Sequence, residues 1–154
     1  MSDLRLDAGR ASLPTAEDTI ALGVRFGRQL RAGDVVVLSG PLGAGKTVLA
    51  KGIAQGMDVE GPVTSPTFVL ARVHRARRQG DPAMIHVDVY RLLGADVMAE
   101  LDSLDLDTDL DRAVAVVEWG EGLAERLSDR HLCVELERLP DGDVRTATWQ
   151  WSSP

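Results

Sequence analysis

Apolar and polar residues along this chain alternate with two periods, and the changes between them mark out the elements. Thr15-Ala16-Glu17-Asp18 reads as an N-cap followed by acidic residues in a first turn, and Ile20, Leu22, Val24 and Leu30 then recur at mostly helical spacing until Gly33. Asp34 to Leu38 is a short apolar strand. A Gly-rich stretch follows it, and Val48, Leu49 and Ile53 then set the period of a second helix running to about Met57. Gly, Pro and Ser between Gly61 and Pro66 predict an irregular loop. Thr67 to Val73 and Ala83 to Val89 read as strands joined through Arg77-Arg78-Gln79-Gly80-Asp81-Pro82, which has hairpin composition. Leu92 to Leu110 is acidic and apolar and predicts one or two short helices. Val114 to Val117 is a buried-type strand ending at Glu118-Trp119, with a helix expected over Glu121 to Leu127. Leu132 to Leu139 and Val144 to Trp151 flank Pro140-Asp141-Gly142-Asp143 as a terminal hairpin.

The alternation of strands and helices predicts an α/β fold: a three-layer domain whose mixed sheet is parallel at its centre and antiparallel at its hairpins. With 154 residues and no internal repeat, long linker or low-complexity tract, residues 1–154 read as one domain. A net charge of −7, from 24 acidic and 17 basic residues, disfavours strong direct binding to a phosphate backbone. The four arginines Arg72, Arg75, Arg77 and Arg78 read first as a solvated hairpin tip, with a phosphate or RNA contact patch as the rival. Cys133, the single cysteine, sits in an apolar stretch and reads as core filling. The N-terminus lacks a basic region followed by an apolar one, and no stretch approaches the ~20 apolar residues of a membrane span, so a cytoplasmic protein without membrane attachment is expected.

The chemistry is concentrated in Gly40-Pro41-Leu42-Gly43-Ala44-Gly45-Lys46-Thr47, which fits G-x-x-x-x-G-K-[ST] between a strand and a helix. Glycines let successive backbone N–H groups turn inward around a polyphosphate, and the following helix directs its positive end at the same anion. Lys46 is placed to reach the outer phosphates, and the Thr47 hydroxyl to bind a Mg²⁺ that takes its other ligands from phosphate oxygens and water. Hydrolysis or transfer needs a second carboxylate on the metal side. Asp88 and Glu118 both follow apolar strands, and either could meet the metal at the carboxyl ends of a parallel sheet.

Taken together, the phosphate loop, Ser65-Pro66-Thr67-Phe68, His86-Val87-Asp88-Val89-Tyr90-Arg91 and Glu118-Trp119-Gly120-Glu121 resemble in order and spacing the TsaE (YjeE) family over nearly the whole chain. The resemblance implies a small bacterial P-loop ATPase that works with TsaB and TsaD in making threonylcarbamoyladenosine, the modified base beside the anticodon of certain tRNAs. It implies ATP and Mg²⁺ as cofactors, with Thr47 and Glu118 as metal ligands and Gly43, Ala44, Gly45, Lys46, Thr47 and Val48 among the nucleotide contacts. Asp88 takes a Walker-B-like place, and Thr67 resembles a switch residue that senses the γ-phosphate or positions water. Lys46, Asp88, Glu118 and Thr67 are thus the expected catalytic set. Trp119 offers its ring to the adenine or else fills the core, Thr19 resembles the family threonine near the base, and Arg145 resembles a late family arginine among the nucleotide contacts. Pro41 stands where the family often has Asp, and Gly120 where it commonly has proline.

The expected activity is slow Mg-dependent ATP hydrolysis, weak alone, coupled to association with and resetting of a TsaB–TsaD complex, with tRNA engaged only through that complex. In isolation the chain is expected to be a monomer. A small nucleoside or metabolite kinase shares the loop and the chain length, and a nucleotide-regulated binding module is a third class. A GTPase is disfavoured, because the chain contains no asparagine and so no Asn-Lys-x-Asp motif.

Overall fold

The computed structural model describes residues 8–40, 45–61, 71–88, 113–118, 131–140, 142 and 144–152. The elements in chain order are β1 (Gly9–Leu13), α1 (Ala16–Gln29), β2 (Val35–Ser39), α2 (Lys46–Met57), β3 (Ala71–His74), β4 (Ala83–Asp88), β5 (Ala113–Glu118), β6 (His131–Arg138) and β7 (Arg145–Ser152). The expected helices over Leu92 to Leu110 and Glu121 to Leu127 lie outside the described residues, as does Thr67 to Leu70 of the expected third strand.

The strands form one seven-stranded sheet in the order β1-β7-β6-β2-β5-β4-β3. β2 is parallel to β5 and to β6, and β4 is parallel to β5. The pairs β1–β7, β6–β7 and β3–β4 are antiparallel. The sheet is therefore mixed in the expected way, with parallel strands at the centre and hairpins at the edges. β1 is an addition: Gly-Arg-Ala-Ser-Leu has little strand propensity, and it extends because β7 offers it a ladder from Gly9↔Trp149 to Leu13↔Arg145. Gly9 is required there, since a Cβ at that position would lie 2.6 Å from Cζ2 of Trp149.

Both helices pack on one face of the sheet, where Leu22, Phe26, Leu49, Ile53 and Met57 meet Val36, Leu38, Val114, Val116, Leu132 and Val134 in a continuous core. Each such side chain contributes about 1.5–3 kcal/mol on leaving water. The opposite face is also closed over the central strands, where Val35, Val37, Ile85, Val87 and Val117 are all buried. That burial on both faces is why these strands read as continuous apolar runs rather than alternating ones. Trp149 anchors the hairpin side, meeting Phe26 edge to face at 5.2 Å between ring centroids, with the Arg25 guanidinium 5.7 Å from the indole. Cys133 is only half-buried, because it alternates with Leu132 and Val134 and so misses the helix-covered core; the core-filling expectation does not hold.

The helices approach each other more closely than ordinary side chains allow. Gly23 and Gly27 of α1 face Gly52 and Gly56 of α2, so that a Cβ on Gly23 would lie 2.8 Å from the Gly52 Cα and one on Gly56 would lie 3.0 Å from the Gly27 Cα. Backbone touches backbone along this seam, which fixes the start of α1 beside the start of α2.

Candidate functional site: a phosphate loop at the carboxyl edge of the sheet

Strand register gathers the chemistry at one edge. Leu38 of β2 pairs with Glu118 of β5, and Glu118 pairs with Asp88 of β4. Ser39 ends β2 one residue further on, and α2 starts at Lys46. The two acidic candidates therefore stand side by side on neighbouring parallel strands, at the carboxyl edge from which the phosphate loop departs. This is where a ligand crevice forms in an α/β sheet.

The N-terminus of α2 carries neither a capping side chain among the described residues nor a compensating acid. Its N-cap, Gly45, is left-handed at φ 101°, a conformation that strains any side chain but costs glycine little, and no side chain among the described residues caps the helix. No acidic residue lies in the first turn. The first position is instead Lys46, whose side chain is buried at 6 % exposure. A cation here opposes the positive end of the helix dipole, an arrangement that becomes favourable once an anion joins both. The Lys46 ammonium donates to the Gly40 carbonyl at 2.5 Å, so the lysine spans the loop it follows. Thr47 and Val48, both half-buried, complete the first turn.

Residues remote in sequence close on Gly45. A Cβ built there would lie 3.9 Å from Arg145 Nε and 3.9 Å from Thr19 Cγ2, so the first strand residue of β7 and the first turns of α1 both border the loop. Thr19 is buried at 2 % exposure, with its hydroxyl donating to the Thr15 carbonyl at 3.5 Å. The glycine seam between the helices holds Thr19 there. The structure thus brings Thr19, Gly45, Lys46, Thr47, Val48 and Arg145 to one place, with Glu118 and the backbone of Asp88 at the adjoining strand ends. Gly43, Ala44, Thr67 and Trp119 lie outside the described residues.

Glu118 is buried at 4 % exposure and hydrogen-bonded to His86, with Nε2 and Oε2 2.6 Å apart. The imidazole is wholly buried, so this is a dry contact. His86 has no role in the sequence reading beyond its membership of a motif. Its signal is visible only as a polar residue at an apolar position of an otherwise buried strand, and the contact depends on a register that the chain does not spell out.

For Mg²⁺ the donor types fit. A hydroxyl at the helix start and one buried carboxylate are hard oxygen donors, and Mg²⁺ on a nucleotide takes one or two protein ligands, with phosphate and water supplying the rest. Among the described residues no group of three or more His, Cys, Asp or Glu side chains forms a metal cage.

The Arg-rich tip resolves into local structure. Arg77 and Arg78 reach the Asp58 carboxylate at 3.4 and 3.9 Å, and all three side chains are at least half exposed. The Arg77 amide also donates to the Asp58 carbonyl, so the tip is tied to the end of α2. Among the described residues no helix is long and apolar enough to cross a membrane.

Comparison with known proteins places this geometry in a family. The sequence model of the threonylcarbamoyl adenosine biosynthesis protein TsaE matches residues 13–146. The tRNA threonylcarbamoyladenosine biosynthesis protein TsaE of Mycobacterium tuberculosis is 74% identical over 146 residues, covering 93% of this chain and 87% of the relative. The protein of the same description from Bacillus subtilis is 34% identical over 136 residues, covering 86% and 79%. The crystal structure of Bacillus subtilis YdiB superposes with a TM-score of 0.73 at 28% identity, covering 96% of this chain and 87% of that one. Loop, sheet and relatives agree, and the chain belongs to the TsaE family of tRNA threonylcarbamoyladenosine biosynthesis proteins.

Proposed function

We propose that the chain is a cytoplasmic, Mg-dependent ATPase whose turnover drives association with, and resetting of, a TsaB–TsaD complex during threonylcarbamoyladenosine synthesis. The observation that carries this reading is the left-handed Gly45 start of α2, with the buried Lys46 ammonium held on the Gly40 carbonyl. On nucleotide binding, the first-turn N–H groups of α2 donate to the β-phosphate region, and Lys46 exchanges the carbonyl for phosphate oxygens. Thr47 and Glu118 would hold Mg²⁺, which would supply charge neutralisation at the nucleotide phosphates. Asp88 supports the metal side, Thr67 senses the γ-phosphate or positions water, and Trp119 stacks on the adenine. The loop residues Gly43, Ala44, Gly45 and Val48 line the phosphates, with Thr19 and Arg145 bordering them. Arg145, a cation beside Gly45 on a strand that lies across β2 from the acidic ends of β5 and β4, suits an anion contact rather than a metal one.

The isolated protein is taken as a monomer that meets tRNA only through its partners. The decisive experiment is ATP hydrolysis by the purified chain with Mg²⁺, alone and with TsaB and TsaD, with Lys46→Ala as control. Hydrolysis that rises with the partners and is lost in the control supports the proposal. Hydrolysis indifferent to the partners but stimulated by a small phosphoryl acceptor overturns it in favour of a small-molecule kinase.

A further inference from the structure

Glu118 does not stand alone at the end of β5. In the register of β4 and β5, His86 is opposite Val116 and Asp88 is opposite Glu118, so His86 and Glu118 are diagonal neighbours on one face of the sheet. Their contact of 2.6 Å is short for a nitrogen–oxygen pair, just under the roughly 2.7–2.9 Å of charge-assisted N–H···O bonds. Both side chains are at most 5 % exposed, so water does not compete for it.

The direction of the bond follows from the other ring nitrogen. His86 Nδ1 is buried and has no hydrogen-bond partner among the described residues. If the carboxyl group donated to Nε2, an Nδ1–H would be stranded without an acceptor, at a cost of about 1–3 kcal/mol. The assignment with Nε2–H donating to Oε2 strands only a lone pair. His86 therefore acts as a donor aimed at one oxygen of Glu118. A donor on one oxygen removes the freedom of the carboxylate to rotate and to exchange its two oxygens, which is what outer partners do for metal-ligating carboxylates.

We propose that His86 is a positioning residue for the metal-side carboxylate: Nε2–H holds Oε2, which assigns Oε1 to Mg²⁺ or its water shell. This rests on the proposed role of Glu118 as a metal ligand. The roles of the two nitrogens separate the proposal from a packing role, because a glutamine amide reproduces the donor position of Nε2 whereas an asparagine amide reproduces only that of Nδ1.

The test is Mg²⁺ titration of the ADP-loaded protein by calorimetry, with ADP affinity in EDTA measured beside it, for wild type, His86→Phe, His86→Asn and His86→Gln. The expected result is Mg²⁺ affinity about 10-fold weaker in His86→Phe and His86→Asn, restored to within about threefold of wild type in His86→Gln, with metal-free ADP affinity unchanged in all. Wild-type Mg²⁺ affinity in His86→Phe and His86→Asn overturns the proposal. So does a His86→Gln as weak as His86→Asn, or a parallel loss of metal-free ADP binding, which marks a purely structural histidine. If His86→Phe fails to fold, the contrast between the glutamine and asparagine variants decides. A wild-type protein that binds ADP with no response to Mg²⁺ instead removes the metal role of Glu118, and with it this inference.

Discussion

Helices α1 and α2 lie against each other on the same face of the sheet, yet their N-termini are finished in opposite ways. At α1, Thr15 and Asp18 form a reciprocal capping box: the Asp18 amide donates to Thr15 Oγ1 at 3.3 Å, and the Thr15 amide donates to Asp18 Oδ2 at 2.9 Å. Glu17 and Asp18 place negative charge in its first turn, which satisfies the helix dipole internally. At α2 a left-handed glycine replaces the capping side chain, the first turn holds no acid, and a buried lysine adds positive charge. One helix start is complete in itself, and the other is left for the proposed nucleotide to complete. The far end of α2 reinforces the contrast, because the Asp58 backbone N–H closes it by donating hydrogen bonds to the carbonyls of Ala54 and Gln55.

The largest expected effect breaks the contrast at α2. Lys46→Ala should weaken ATP binding by about 100-fold, the scale of losing strong charge-assisted hydrogen bonds to phosphate, and should abolish hydrolysis while leaving the melting temperature near that of wild type. A variant that still binds ATP as wild type would show that the loop does not hold phosphate through this lysine. Next in size is the seam that fixes the two starts together. Gly52→Val should cost about 2–3 kcal/mol in a denaturant titration, because its Cβ would lie 2.9 Å from the Gly23 Cα and backbone cannot yield as a side chain can. It should also lower nucleotide affinity, by shifting Thr19 away from Gly45. An undisturbed affinity would mean that Thr19 takes no part.

Sheet centre, loop and capping box are legible in the chain because each is local. Val35 to Leu38 next to a Gly-rich loop, and Thr15 three residues before Asp18, carry their structure in their spacing. The strand β1 is not legible, since its residues have no strand signal without β7 beside them. The proximity of Thr19 and Arg145 to Gly45 is likewise silent in the periodicity of the chain, which separates them by long intervals.

A smaller effect sharpens the comparison from the α1 side. Thr15→Ala should destabilise the protein by about 1 kcal/mol through loss of the cap, read as a lowered melting temperature, with ATP affinity unchanged. A large affinity loss in that variant would mean that the start of α1 is itself part of the nucleotide site. Smallest of all, Arg78→Ala should shift stability by less than about 0.5 kcal/mol, because its 3.9 Å pair with Asp58 is exposed to solvent and salt. A loss of partner-stimulated hydrolysis in Arg78→Ala, with stability intact, would turn this tip into a docking surface.

By itself the sequence determined the α/β class, the phosphate loop, the cap of α1, the parallel character of the buried strands and the presence of acids at strand ends. All of these follow from contacts within a few residues or from the burial period of one segment. Only the tertiary structure decided which strands are neighbours, that β1 exists, that glycines let two helices touch, and that His86 holds Glu118. Those outcomes depend on register and on close approach between segments far apart in the chain, where a shift of one residue would turn each side chain to the other face of the sheet.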